Sequence, residues 1–158
     1  MARSRTLDSV DRALLRALTA DARASGASLA AAVGIAESTV SLRMRRLQDD
    51  GYLRGFHADV DVAALGVTVQ ALISIRLANL VREDVEAFRN AAPNWPGVLA
   101  LFHTGGADDY LLHVATRDAS ELRDFVLRYL AAHPAVSHTE TNLVFEHVPG
   151  KGLEGLLT

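Results

Sequence analysis

The sequence predicts an α+β protein: a winged-helix-like helix-turn-helix over residues 1–56, a linker strand at 57–65, a βαββαβ domain over 66–148 and a tail at 149–158. Three observations predict it. Apolar residues recur at helical spacing through the first third and flank Gly34, in a stretch that runs into Arg43, Arg45 and Arg46. From Val67 the apolar period changes to two, as a half-buried sheet requires. Charge divides shortly before that border: nine arginines face six acids in residues 1–57, and seven basic residues face thirteen acids in 58–158. A basic first third inside a chain of net charge −3 suits a polyanionic partner, and the acidic remainder is repelled by phosphate.

Leu7, Val10, Leu14, Leu15 and Leu18 place a first helix over 8–20, with Asp8 as its N-cap. The segment DARASGA links it to a second helix capped by Ser28 and carrying Leu29, Ala32 and Val33. Gly34 ends that helix, because the turn needs a residue tolerant of positive φ, and Ile35 packs down as a staple. The third helix covers 37–49 with Val40, Met44 and Leu47 inward, and Gly51 closes it. Tyr52 to Asp61, with β-formers around Gly55, reads as a short hairpin or linker strand.

In the second part, Val67 to Leu77 alternates along one strand, and residues 82–92 form a helix with Val85 and Phe88 inward, closed by Pro93. Trp95-Pro96-Gly97 turns the chain into a strand pair at 98–104 and 109–116, joined through Gly105-Gly106. Asp118 and Glu121 open a further helix in capping-box fashion, His133-Pro134 stops it, and 136–147 is a last strand. The order is that of a ferredoxin-like domain with helices on one sheet face. The other face then needs a cover, and a second copy of the chain is the simplest.

A plain three-helix bundle explains Leu14, Leu18, Val40 and Leu47. It does not explain small polar groups at the start of the third helix followed by three arginines. Hydroxyls of Ser38, Thr39 and Ser41 suit base edges in a major groove, and guanidinium groups of Arg43, Arg45 and Arg46 suit phosphates or guanine. Arg43 lies beside the buried face, where it can position the helix instead, and Leu42 points outward. Arg54 is a further phosphate candidate. Double-stranded DNA is the expected partner.

In HTGGADDYLL the Gly105-Gly106 loop bares backbone N–H groups beside Asp108 and Asp109, a combination able to hold a zwitterion and also that of an ordinary hairpin. No dinucleotide fingerprint or nucleophile elbow is present, and the histidines lack metal-ligand spacing. Neither cofactor nor metal is therefore expected. The absence of cysteine excludes disulfides and thiolate metal sites, and no apolar run reaches the ~18–20 residues of a membrane span. The start MARSRTLDSVDR has no signal-peptide stretch, so a cytoplasmic protein is expected.

The stretches LDSVDRALLRALTADAR, LAAAVGIAESTVSLRMRRLQDDGYLRGF, GGADDYLLHV and HTETNLVFEHV together resemble the Lrp/AsnC (feast/famine) family of bacterial and archaeal transcription regulators. The resemblance implies dimers built through the C-terminal sheet, assembling further to tetramers or octamers. It also implies a small effector, commonly an amino acid, near the loop Thr104 to Asp109, namely Thr104, Gly105, Gly106, Asp108 and Asp109, with Thr139 and Thr141 opposite on the last strand. The chain departs from the family pattern at Ala107 and Asp108, where an acid and an aromatic are usual, and at Ala36, where a capping hydroxyl is common. A rival reading is an enzyme of the same architecture. It resembles siroheme decarboxylases, and it would call on His103, His113 or His138.

Overall fold

The computed structural model describes residues 6–78, 81–150, 152 and 154–157, in two compact units: residues up to 59 together with the segment from 148 onward, and residues 60–147. The C-terminal segment thus packs with the first unit.

Among its described residues the first unit has three α-helices, α1 (Ser9–Ala20), α2 (Gly26–Val33) and α3 (Glu37–Asp49). Asp8 caps α1 in a full capping box with Asp11. The cap of α2 is Ser25 rather than Ser28. The Ser25 hydroxyl accepts from the Ser28 N–H at 3.1 Å, and the helix begins one turn earlier than its apolar residues indicate. Gly34 takes φ +75° at the turn, a conformation costly for any residue with a Cβ. Leu14, Leu18, Leu29, Val40 and Leu47 form the buried core, with Ile35 and Met44 packed against it. A fully buried leucine stabilises by roughly 2 kcal/mol, so these few side chains hold the unit together. Leu157 is also buried, and its carbonyl accepts from Arg16 Nη2 at 2.5 Å.

The strand expected at 57–65 is absent among the described residues: 57–61 are coil and Ala63–Leu65 form a short 3₁₀ turn. After α3 the Leu53 N–H donates to Leu47 O, and Tyr52 and Leu53 pack on the helical core. Their side chains are spent on helix packing, and among the described residues no neighbouring strand offers a ladder to residues 57–65.

The second unit follows the sequence reading closely. Strands β1 (Val69–Leu77), β2 (Val98–His103), β3 (Tyr110–Thr116) and β4 (Val136–Val144) form an antiparallel sheet in the order β2-β3-β1-β4. Helices α4 (Arg82–Ala91) and α5 (Ala119–Phe125), the latter continuing as π-helical turns over Val126–Ala131, lie between the strands in sequence. Pro93 sits inside a short 3₁₀ turn after α4. Phe88, Leu122, Phe125 and Leu130 from the helical segments pack on Ala71, Ile73, Ile75, Tyr110, Leu112 and Val114 from the central strands. The last strand stops at Val144, three residues short of its expected end, where its pairing with β1 runs out at Gln70. Among the described residues no helix is long and apolar enough to cross a membrane.

Candidate functional site

On α3 the buried positions Val40 and Leu47 define the inner face, and Ser38, Ser41, Leu42 and Arg45 form an exposed stripe at three- and four-residue spacing. Arg46 is exposed beside it, seven residues after the half-buried Thr39. Among the described residues neither Arg45 nor Arg46 has an acidic partner, so both guanidinium groups face solvent ready for an anion. The Ser41 hydroxyl donates to Glu37 O at 3.2 Å and keeps its lone pairs for an incoming donor. Arg54 is exposed on the coil after α3. Arg43 differs from the other arginines. Its Nη1 is bound to Asp8, the N-cap of α1, and to Asp11 in the first turn of that helix, each at 2.7 Å, which fixes it further in its charged form, Asp8 contributing most.

The loop between β2 and β3 is tightly built. The Thr104 hydroxyl donates to Asp108 O and the Thr104 N–H to Asp109 O, both at 2.9 Å. Gly106 has φ +145°, a region that favours glycine. Asp109 is committed to the fold: its N–H donates to Ile75 O at 2.9 Å, and its Oδ2 accepts from the Leu77 N–H at 2.8 Å. Asp108 shares its charge with Arg76, whose Nη2 lies 3.2 Å from Asp108 Oδ1 and whose Nε donates to Ala107 O at 2.8 Å. A recess of about 260 Å³ is lined by Ser74, Thr104, Gly105, Gly106, Asp108 and Tyr110, among others. The structure therefore gathers four of the loop residues read from sequence, Thr104, Gly105, Gly106 and Asp108, and places Asp109 beneath them as a brace. Thr139 and Thr141 stand apart within one chain. They pair with Ile75 and Ile73 across β1, on the opposite side of that strand from β3.

A model of the AsnC-type helix-turn-helix domain matches residues 7–48, and a model of the Lrp/AsnC ligand binding domain matches residues 70–151. The chain belongs to the Lrp/AsnC family. The HTH-type transcriptional regulator AldR of Mycolicibacterium smegmatis is 45% identical over 148 residues, 94% of this chain and 86% of AldR. The crystal structure of MtbAldR has a TM-score of 0.76 at 41% identity, covering 92% of this chain and 99% of that one. The complex of the Neisseria meningitidis regulator NMB0573 with L-Met reaches a TM-score of 0.84 at 27% identity, covering 96% of this chain and 99% of that one. This Lrp/AsnC chain is a DNA-binding transcriptional regulator.

Sequence reasoning missed Arg76 and Ser74. A signal for Arg76 existed: it is the one charged residue in the alternating strand VQALISIRL, where a charge needs a reason. Ser74 carried none. The histidines that an enzyme would need do not converge. Register puts His103 level with Tyr110 on the helix-covered face, and His113 and His138 on the other face with Leu72 and Arg76.

Proposed function

We propose that this regulator reads DNA with α3 and answers to a small metabolite, an amino acid, received at the β2–β3 loop of its oligomeric C-terminal domain. The observation that carries the reading is the exposed stripe Ser38, Ser41 and Arg45 with Arg46, which has no acidic partner among the described residues, in one chain with an Lrp/AsnC ligand-binding domain. Ser38, Thr39 and Ser41 supply base contacts, and Arg45, Arg46 and Arg54 supply phosphate contacts. In a dimer two such helices address the half-sites of a near-palindromic operator.

The chemistry of the recess supports an amino acid. Exposed Gly105 and Gly106 offer backbone N–H groups, and half-exposed Arg76 offers a cation for a carboxylate. The Asp108 carboxylate is the acceptor for an ammonium group. The L-Met held by the Neisseria meningitidis relative supports the same class of ligand. Thr139 and Thr141 meet the ligand across an assembly contact, in a dimer or a tetramer or octamer built from it.

Two measurements test this together. Gel shifts on DNA flanking the gene should show salt-dependent binding, and Arg45→Ala with Arg46→Ala should lower the salt slope by about two. Thermal-shift screening against the twenty amino acids should give at least one stabilising ligand, abolished by Asp108→Ala. Unchanged DNA binding in the double variant would sink the α3 assignment, and twenty null shifts would sink the amino-acid assignment.

A further inference from the structure

Arg43 sits in the middle of the helix that faces DNA, yet its side chain is only 23% exposed and points to α1. Its Nη1 donates to Asp8 Oδ2 and to Asp11 Oδ1, each at 2.7 Å. Both acids belong to the capping box of α1, in which the Asp11 N–H donates to Asp8 Oδ1 at 2.8 Å. Asp11 is 1% exposed, which makes it the one buried carboxylate among the described residues. At its own start α3 has no side-chain cap, because Ala36 occupies that position.

From these contacts we propose that Arg43 is a positioning residue for DNA recognition, a clamp that sets the rotation of α3 on the N-terminus of α1. The inference rests on α3 being the helix that reads DNA. Apolar packing of Val40 and Leu47 on Leu14 and Leu18 holds α3 against the core, but such packing is non-directional. A charge-assisted hydrogen bond has a fixed length and angle, and two from one guanidinium nitrogen define an orientation. Base-edge contacts need that definition, because hydroxyls as short as those of Ser38 and Ser41 tolerate little misplacement. Phosphate contacts by long arginines tolerate more. The clamp therefore acts on specificity more than on total affinity.

The rival account makes Arg43 a phosphate contact, and the two give opposite signs at Asp8. Asp8→Asn keeps an N-cap acceptor for α1 while removing the negative charge beside Arg43. On charge alone, that change strengthens binding to a polyanion. With a clamp it weakens binding to the cognate site.

The experiment uses the full chain, a duplex enriched from random DNA by the wild-type protein, and a scrambled duplex of equal length. Dissociation constants are measured by fluorescence anisotropy over a salt series for wild type, Arg43→Met, Arg43→Lys, Asp8→Asn and the Arg45→Ala/Arg46→Ala pair. Arg43→Met should lose about tenfold on the enriched duplex and almost nothing on the scrambled one, with an unchanged salt slope. Asp8→Asn should lose in the same direction, and Arg43→Lys should recover part of the loss. Equal weakening on both duplexes with a slope smaller by about one would overturn the clamp, as would Asp8→Asn binding as tightly as wild type. If the Arg45/Arg46 pair changes nothing, α3 is not the DNA helix and the clamp falls with it; if the pair behaves as expected, the outcome at Arg43 and Asp8 stands by itself. Thermal unfolding of each variant shows that it is folded. Should Arg43→Met not fold, Asp8→Asn decides, since Asp8 is half-exposed at the helix end.

Discussion

Tyr110 shows most sharply how a single residue is caught between two demands. It is 1% exposed, its ring lies 4.8 Å from that of His103 and 5.2 Å from that of Phe88, and its hydroxyl has no hydrogen-bond partner among the described residues. Burial pushes the phenol above its ordinary range, so the group stays neutral as well as unpaired. An unsatisfied buried hydroxyl costs about 1–3 kcal/mol, while the ring repays through packing. Tyr110→Phe should therefore leave stability unchanged or raise it by about 1 kcal/mol in urea unfolding. A clear loss would mean that the hydroxyl is paired. In the sequence Tyr110 was simply the first residue of a strand after the loop. Its burial was legible from period two, but its orphaned hydroxyl was not, because that depends on what α4 places above it.

At the scale of elements, the sequence was most legible where local chemistry and tertiary packing agree. The bounds of α3 follow from Val40, Met44, Leu47 and Gly51, and the structure keeps them at Glu37–Asp49. It was least legible where two local signals compete, as between Ser25 and Ser28, either able to cap α2, of which the structure uses the earlier. The strand expected after α3 failed for a related reason: β-propensity has no effect without a neighbouring strand. The β2–β3 loop was legible as glycines and acids, but the division of labour between Asp108 and Asp109 depends on Arg76, a residue 32 positions from Asp108. Ala36 gives a direct test at this scale. It lacks a side-chain oxygen for the first turn of α3, and a serine supplies one, worth about 1 kcal/mol. The Thr39 N–H already donates to Ala36 O at 2.9 Å, so Ala36→Ser should slow hydrogen exchange at the Ser38 amide and stabilise the N-terminal unit by that amount. No change at that amide would show that the added hydroxyl does not cap the first turn.

For the whole molecule the governing fact is that, within the second unit, the described helices cover one face of the sheet only. The open face carries half-buried Leu72 and Leu111 with Phe102, which is 51% exposed, and β-pairing sets His113 opposite Leu72. The second copy of the chain proposed to cover this face would bury all of them. His113 already feels the constraint: partial burial, and then His147, hold its imidazole below the ordinary value of 6.5, and its Nε2 lies 2.9 Å from Gln70 Oε1. Because Gln70 Oε1 is an acceptor, His113 serves as the donor, which the neutral ring can do. Covering the face would remove more water and lower the imidazole pKa further in such a dimer. The separated or unfolded chain would then bind more protons than the dimer, so assembly would be at full strength above the ordinary imidazole range and weaken as pH falls through it. Sedimentation velocity across pH 7.5 to about 5 should show dissociation setting in below about 6.5. His113→Gln, which cannot titrate, should flatten that dependence, and Phe102→Asp should give monomers at every pH with the sheet still folded. An assembly equally tight across this range in the wild-type protein would mean that the open face, and His113 with it, lies outside the contact.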